Sequence, residues 1–153
     1  MKQTLFRGKR TDNNEWIYGF YFESVADGMK HCYIKYETWD EGFVTYEVIP
    51  ETVGQLTDLP DNNGNKIFEN DILKIISSIR SEIIDNTHAF GSEKREDCAI
   101  VLWDYKTGGY KLKVYHEGKY KRIARFSIGH LCVYKAEVIG NIYDNPELLE
   151  DMK

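Results

Sequence analysis

Apolar and polar residues alternate along the chain in short runs that Asn, Asp and Gly separate. Runs of this kind, rich in aromatic and β-branched residues, predict strands, and the Asn/Gly clusters predict tight turns. In the first third the pattern predicts three strands, within residues 16–22, 31–35 and 43–49, and Pro50 ends the last of them. We therefore expect an N-terminal antiparallel meander over residues 1–60.

The pattern resumes after residue 66 and predicts a second group of strands. Five short strands are expected, within residues 67–76, 99–103, 110–115, 120–126 and 137–143. The polar segment 77–97 predicts a long loop between the first two, and residues 144–149 predict a capped helical turn. Five short strands with one long first loop are typical of an SH3-like small barrel. The predicted fold is thus mostly β, with this barrel over residues 61–153.

The turn between the two groups, DLPDNNGNKIFENDILK (58–74), contains enough Asp and Asn to suggest a metal-binding loop. A calcium hand needs oxygen ligands at loop positions 1, 3 and 5, Gly at 6 and Glu at 12. Counting from Asp61 gives suitable oxygens at the first three positions, but position 6 is Lys66 and position 12 is Ile72. We therefore predict a tight turn that binds no metal.

Composition says more about the compartment in which the protein works than about its activity. The formal net charge is −5, so no global attraction to nucleic acid or anionic membranes is expected. The cysteines, Cys32, Cys98 and Cys132, are odd in number and widely spaced, which does not indicate a disulfide framework. The start lacks a signal-peptide core, and no apolar run approaches the roughly 20 residues needed to cross a bilayer. These features predict a cytoplasmic protein without a membrane segment.

Five blocks spread over nearly the whole chain resemble the YopX family of phage and prophage proteins. They are FRGK (6–9), WIYG (16–19), IPETVGQ (49–55), DNNGNKIFENDI (61–72) and VIGNIYDNPELL (138–149). The family usually has Gly where this chain has Asn70, and Asn is the next residue most tolerant of left-handed φ. The resemblance implies a mostly β protein with an SH3-like C-terminal part. It implies no activity and supplies no catalytic residues.

Reactive side chains are few and poorly grouped. His31 and Cys32 are adjacent, so in a strand they point to opposite faces, whereas His130 and Cys132 would share one. Neither pair has the spacing of a zinc site, and no cofactor is expected.

Glu69 and Asp71 also share a face if extended, and paired acids can perform acid–base catalysis. A hydrolase using them would need a pocket that raises their pKa values. We favour a structural role, in which Asp71 accepts backbone N–H bonds.

The segment 104–126 is basic and rich in tyrosine. Its candidate binding residues are Lys106, Lys111, Lys113, Tyr115, Lys119, Lys121 and Arg122. Lysines meet phosphates and exposed tyrosines stack on bases, but lysine on a hairpin also prevents unwanted strand pairing.

Together these patterns favour a non-catalytic phage accessory protein that binds a host or phage protein. The aromatic meander or an exposed strand edge is the expected contact surface. The alternative is a nucleic-acid-binding module that uses the basic segment. Self-association as a homo-oligomer through the same edges stays open.

Overall fold

The chain folds almost entirely into antiparallel strands. The computed structural model describes the backbone of residues 4–80, 92–116, 119–125 and 135–150, and the side chains of 4–76, 96–116 and 136–149. These residues form eleven strands, one 3-10 helix and one short α-helix, in two antiparallel sheets. The prediction of a mostly β protein is therefore confirmed. The chain divides into two compact units, Met1–Asp58 and Leu59–Lys153.

The first unit is built on one antiparallel sheet. Its elements are β1 (Phe6–Lys9), β2 (Trp16–Ala26), β3 (Met29–Thr38), β4 (Gly42–Glu47), a 3-10 helix (Pro50–Thr52) and β5 (Gly54–Pro60), whose last two residues belong to the second unit. The strand order is β4-β3-β2-β1-β5. Positive φ at Asp27, Gly28 and Gly42 allows the tight hairpins β2–β3 and β3–β4.

This sheet curls around a small core. The side chains of Ile17, Cys32, Ile34 and Val48 are buried together on one face. The curl is visible in the backbone, because Arg10 after β1 forms an isolated bridge with Val48 after β4. The amide of Ile49 also donates to the carbonyl of Lys9 at 2.8 Å. One face of the sheet is thus filled by the core, and the other faces outward.

The second unit contains β6 (Lys66–Phe68), β7 (Asp71–Arg80), β8 (Ser92–Asp104), β9 (Gly109–His116), β10 (Lys119–Arg125), β11 (Lys135–Asn141) and α1 (Glu147–Glu150). Five of these strands form a sheet of order β10-β9-β8-β7-β11, and β6 is the neighbour of β5. Alternate residues of β7, β8 and β9 fill the core, including Leu73, Val101 and Leu112. The closure of this sheet into an SH3-like barrel stays a prediction.

The strands extend beyond the sequence pattern in several places, including the ends of β2 and β3. Strands β1 and β5 were not predicted, because their short polar-apolar runs carry little alternation. The predicted loop over 77–97 is also too long: residues 77–80 pair in register with 92–95, and β8 continues without a break to Asp104. Polar side chains hid these strand ends, since backbone pairing needs no apolar residue. Residues 81–91 lie outside the described part.

No helix in the described part of the chain is long and apolar enough to cross a membrane.

Gly19 in β2 gives a direct test of the first sheet. A Cβ atom there would lie 2.3 Å from the carbonyl oxygen of Lys35, a backbone atom that cannot move aside. We expect Gly19→Ala to lower the unfolding free energy by about 2–3 kcal/mol, measured by urea denaturation. Gly109→Ala is the control, because a Cβ there meets no atom within 4 Å. Equal effects of the two substitutions would contradict this packing.

Candidate functional site

The Asp61 turn uses its carboxylate to hold the backbone. The amide groups of Asn63 and Asn65 each donate to Asp61 Oδ1 at 2.8 Å. The amide of Val138 and the side chain of Asn65 donate to Oδ2 at 3.1 and 2.9 Å. Burial raises the pKa of Asp61, but these hydrogen bonds outweigh burial and hold the pKa below its ordinary value. The turn thus fastens β11 to the start of β6.

A protein metal site is usually built from several His, Cys, Asp or Glu side chains that converge on one point. Within residues 4–76, 96–116 and 136–149, no group of three or more His, Cys, Asp or Glu residues is so placed.

Glu69, Asn70 and Asp71 form the corner between β6 and β7. Asp71 is buried and accepts the amide of Phe68 at 2.7 Å, which confirms the backbone-binding role predicted for it. Glu69 accepts the amide of Trp103 at 3.3 Å. Asn70 has a φ of 67°, so its left-handed conformation fits a position where the family usually has glycine. The two carboxylates are therefore bound by different backbone amides.

The cysteines are separated from the histidines. Cys32 is buried, 3.1 Å from the Tyr21 hydroxyl, whereas His31 points to the opposite face and contacts Glu47 at 2.6 Å. Burial raises the pKa of the Cys98 thiol, which keeps it protonated at neutral pH. The predicted pair of His130 and Cys132 lies outside the described residues.

One histidine contact was missed by sequence analysis. His116 Nδ1 lies 2.9 Å from Asp97 Oδ1, across the β8–β9 pairing, and Asp97 is buried. The two residues are far apart in sequence and fit no motif. Only the strand register, which pairs Cys98 with Tyr115 one step away, places them together.

The basic segment divides between described and undescribed side chains. Lys111, Lys113 and Tyr115 lie on one face of β9, while Leu112 and Val114 between them are buried, as the alternation predicted. Lys111 Nζ is 3.7 Å from Asp104, and Lys113 Nζ lies 5.3 Å from the centre of the Tyr115 ring.

The other four candidate residues lie outside β9, in the turn before it and in the strand after it. Lys106 is exposed in the turn between β8 and β9. Lys119, Lys121 and Arg122 are in β10, where the register with β9 shifts between Tyr120 and Arg122. The side chains of these three lie outside the described part. The structure therefore brings Lys111, Lys113 and Tyr115 together and leaves the other four untested.

The first sheet carries a row of exposed aromatic side chains on its outward face. We call this surface the aromatic face and define it by Tyr18, Phe20, Phe22, Tyr33, Lys35 and Phe43. Alternation creates it, because Ile17 and Tyr21 of β2 point into the core. The four residues Tyr18, Phe20, Phe22 and Phe43 keep between 39% and 58% of their surface exposed.

Ring and cation contacts organise this face. The rings of Phe22 and Tyr33 stack with centres 5.3 Å apart. Lys35 Nζ lies 4.5 Å from the centre of the Phe43 ring. At the β1 side of the sheet, Arg7 and Lys9 lie 4.7 and 5.4 Å from the Trp16 ring centre. Each of these cations lies near the face of a ring, and contacts of this kind favour the ring positions seen here by about 0.5–1 kcal/mol each.

The fold and this face define a small β protein with an exposed aromatic surface. The chain belongs to the YopX family, described as YopX protein, which matches residues 5–150. No curated protein matches the chain. A crystal structure of protein EF1440 from Enterococcus faecalis is similar, with 21% sequence identity and a TM-score of 0.47, and the match covers 97% of this chain and 99% of that one.

Asp61 makes a pH-dependent contribution to stability. Its pKa is lowered in the folded chain, so its stabilising effect is present above the unfolded pKa of about 3.9 and is lost as pH falls through the folded pKa. We expect Asp61→Asn to cost about 1–3 kcal/mol at pH 7. The difference from the unsubstituted chain should shrink below about pH 4. Chemical denaturation across pH measures it, and a difference that is constant with pH would contradict the role of the charge.

Proposed function

We propose that this chain is a non-catalytic, phage- or prophage-encoded accessory protein of the cytoplasm that binds a host or phage protein. The observation that carries the proposal is the aromatic face, where Tyr18, Phe20, Phe22 and Phe43 remain exposed on one side of one sheet. Large apolar side chains that cluster on a surface mark interaction sites. Aromatic residues and arginine also supply most of the binding energy at protein interfaces.

The charge of the first unit favours a protein over a nucleic acid at this face. Residues 1–58 contain six Lys or Arg residues and ten Asp or Glu residues. A phosphate backbone would be repelled by this excess of negative charge. A protein partner instead can bury the aromatic rings and leave the charges at the rim, where they stay hydrated.

The protein is proposed to be non-catalytic because its described carboxylates and thiols make structural contacts. Asp61 and Asp71 bind backbone amides, and Glu69 does the same. Cys32 is buried beside a tyrosine, and burial raises the pKa of Cys98. Both are free thiols, which fits a reducing cytoplasm.

Removing the rings should abolish binding without unfolding the chain. In the variant Phe20→Thr/Phe22→Thr/Phe43→Thr, threonine keeps the preference for strands. We expect at least tenfold weaker capture of the partner, because buried aromatic residues are interface hot spots. The measurement is affinity capture from phage-infected cells after nuclease treatment, quantified by mass spectrometry. Thermal denaturation checks that the variant is folded.

Two exposed residues off this face provide the control. Val25 and Tyr105 keep 75% and 90% of their surface exposed. The variant Val25→Thr/Tyr105→Thr should capture the partner as well as the unsubstituted chain. If the unsubstituted chain captures no protein after nuclease treatment, the proposed function fails. Equal losses in both variants would remove the aromatic face from it.

A second candidate function, nucleic-acid binding, is favoured by the shared face of Lys111, Lys113 and Tyr115. The variant Lys111→Glu/Lys113→Glu should then bind a labelled single-stranded oligonucleotide more weakly. The magnitude of its slope of log K against log salt should also fall by roughly 1.4, about 0.7 for each lysine on a single strand. Fluorescence anisotropy at several salt concentrations measures both. Lys66→Glu, another exposed lysine, is the control, and no binding by the unsubstituted chain would exclude this function.

A further inference from the structure

Strands at the end of a sheet have unpaired backbone groups, and the described chain treats its end strands differently. The ends of the two sheets are β4, β6, β10 and β11. Strand β11 is covered by the Asp61 turn: Ala136 C=O accepts the amide of Asn62 at 3.0 Å, and Val138 N–H donates to Asp61 at 3.1 Å. These contacts occupy backbone groups that another chain would otherwise use.

Two further edges carry features that discourage strand pairing. Strand β6 has only three residues and starts at Lys66. Strand β10 contains Lys119, Lys121, Arg122 and Arg125 and is interrupted by a register shift. Short length, lysine and bulges are the devices by which natural proteins protect an edge from other chains.

Strand β4 has none of these protections. Its six residues, Gly-Phe-Val-Thr-Tyr-Glu, include no Lys, Arg or Pro, and the register with β3 is continuous from Gly42 to Glu47. Val48 N–H donates to the Cys32 carbonyl at 2.8 Å. In an antiparallel pair only every second residue exchanges backbone hydrogen bonds with its neighbour, so on β4 these residues are Tyr46, Val44 and Gly42. The amides and carbonyls of Phe43 and Thr45 therefore point away from β3.

The part of the β4 edge that is open to another strand ends before Glu47 and lies beside two exposed aromatic side chains. The carbonyl of Glu47 accepts the amide of Thr11 at 3.1 Å, so the edge stops before that residue. At the other end, the turn before β4 holds Trp39, which keeps 95% of its surface exposed. Phe43 in the strand is exposed by 58%. Backbone groups and two aromatic side chains thus lie together on one short edge.

The side-chain charges near the β4 edge favour a basic partner segment over an acidic one. Residues 35–50, which include the β3–β4 turn and β4, contain four acidic residues and one basic residue, Lys35. The four acids, Glu37, Asp40, Glu41 and Glu47, are exposed in β3, the turn and β4. A second copy of this chain would bring acid against acid, which is unfavourable across paired strands. A segment with Lys or Arg would meet complementary charge.

We propose that the β4 edge takes up an extended, basic segment of the partner protein as an added strand. This inference rests on the proposed function and specifies where and how the partner binds. The backbone of Phe43 and Thr45 supplies the hydrogen bonds, and alternate side chains of the segment meet the aromatic face and the acidic rim.

The test uses a displayed library of random twelve-residue linear peptides, selected on the full chain. Peptides that rise in frequency are synthesised, and their Kd is measured by fluorescence anisotropy. Enriched sequences should alternate Lys or Arg with β-branched or aromatic residues. Thr45→Pro removes the outward amide and should weaken binding at least roughly tenfold. Thr45→Val, which keeps the amide, should change Kd less than roughly twofold.

Two checks separate edge pairing from misfolding and from charge alone. Each peptide is made with methyl groups on alternate backbone nitrogens in both possible registers. The register whose amides face β4 should lose binding to the unsubstituted chain, whatever Thr45→Pro does to folding. Asp40→Lys/Glu41→Lys should weaken the basic peptides more at low salt than at high salt. Glu137→Lys, an exposed acid in β11, is the charge control and should have no effect.

Several outcomes would overturn the inference. These are the absence of enriched peptides, enrichment of acidic sequences, undiminished binding by the peptides of both methylation registers, and a dimer that Thr45→Pro dissociates. If Thr45→Pro still captures the cellular partner while the aromatic triple variant does not, the proposed function stands and strand addition fails. If no partner is captured at all, the proposed function fails independently of the peptides.

Discussion

A strand can give only one of its two faces to a core, and this constraint shapes the first unit. Ile17, Cys32 and Ile34 fill the inside of the curled sheet. The residues between them must then face outward, and here they are aromatic. Rings left exposed forgo the stabilisation that burial would give them. In β2 they occupy the successive outward positions Tyr18, Phe20 and Phe22, and the proposed binding function rests on these rings.

In the second unit, several polar side chains form hydrogen bonds that hold the corners of the fold. The carboxylates of Asp61 and Asp71 accept backbone amides at corners where the chain changes direction, and the side chain of Asn70 donates to the Tyr143 hydroxyl at 3.0 Å. A buried carboxylate without such partners would be strongly destabilising. In the Asp/Asn-rich turn that resembles a metal loop in sequence, the Asp61 carboxylate accepts the amides of Asn63, Asn65 and Val138.

Much of the architecture could be predicted from alternation and turn residues alone. The strand around Ile17 was identified by its density of aromatic and β-branched residues, and the strand around Leu112 by apolar residues at every second position. Strands β1 and β5 are held mainly by neighbours distant in sequence, such as Phe6 with Gln55, and no local pattern reveals such pairing. The polar ends of β7 and β8 were hidden for the same reason.

The candidate surfaces were predictable to different degrees. The high aromatic content of the meander was evident from the sequence. That the aromatic side chains lie on one face could be seen only once the residues of the buried face were known. The open edge of β4 follows from strand order, which is a property of topology and not of any window of residues. The contact of His116 with Asp97 depends on register in the same way.

The pairing of β1 with β5 bears on how the chain is made. Phe6 is synthesised 49 residues before its partner Gln55, a delay on the order of several seconds at usual translation rates. During that delay β1 can pair only with β2, and the apolar inner side of the nascent hairpin stays uncovered. Strand β1 therefore gains its second neighbour only after β5 has been synthesised.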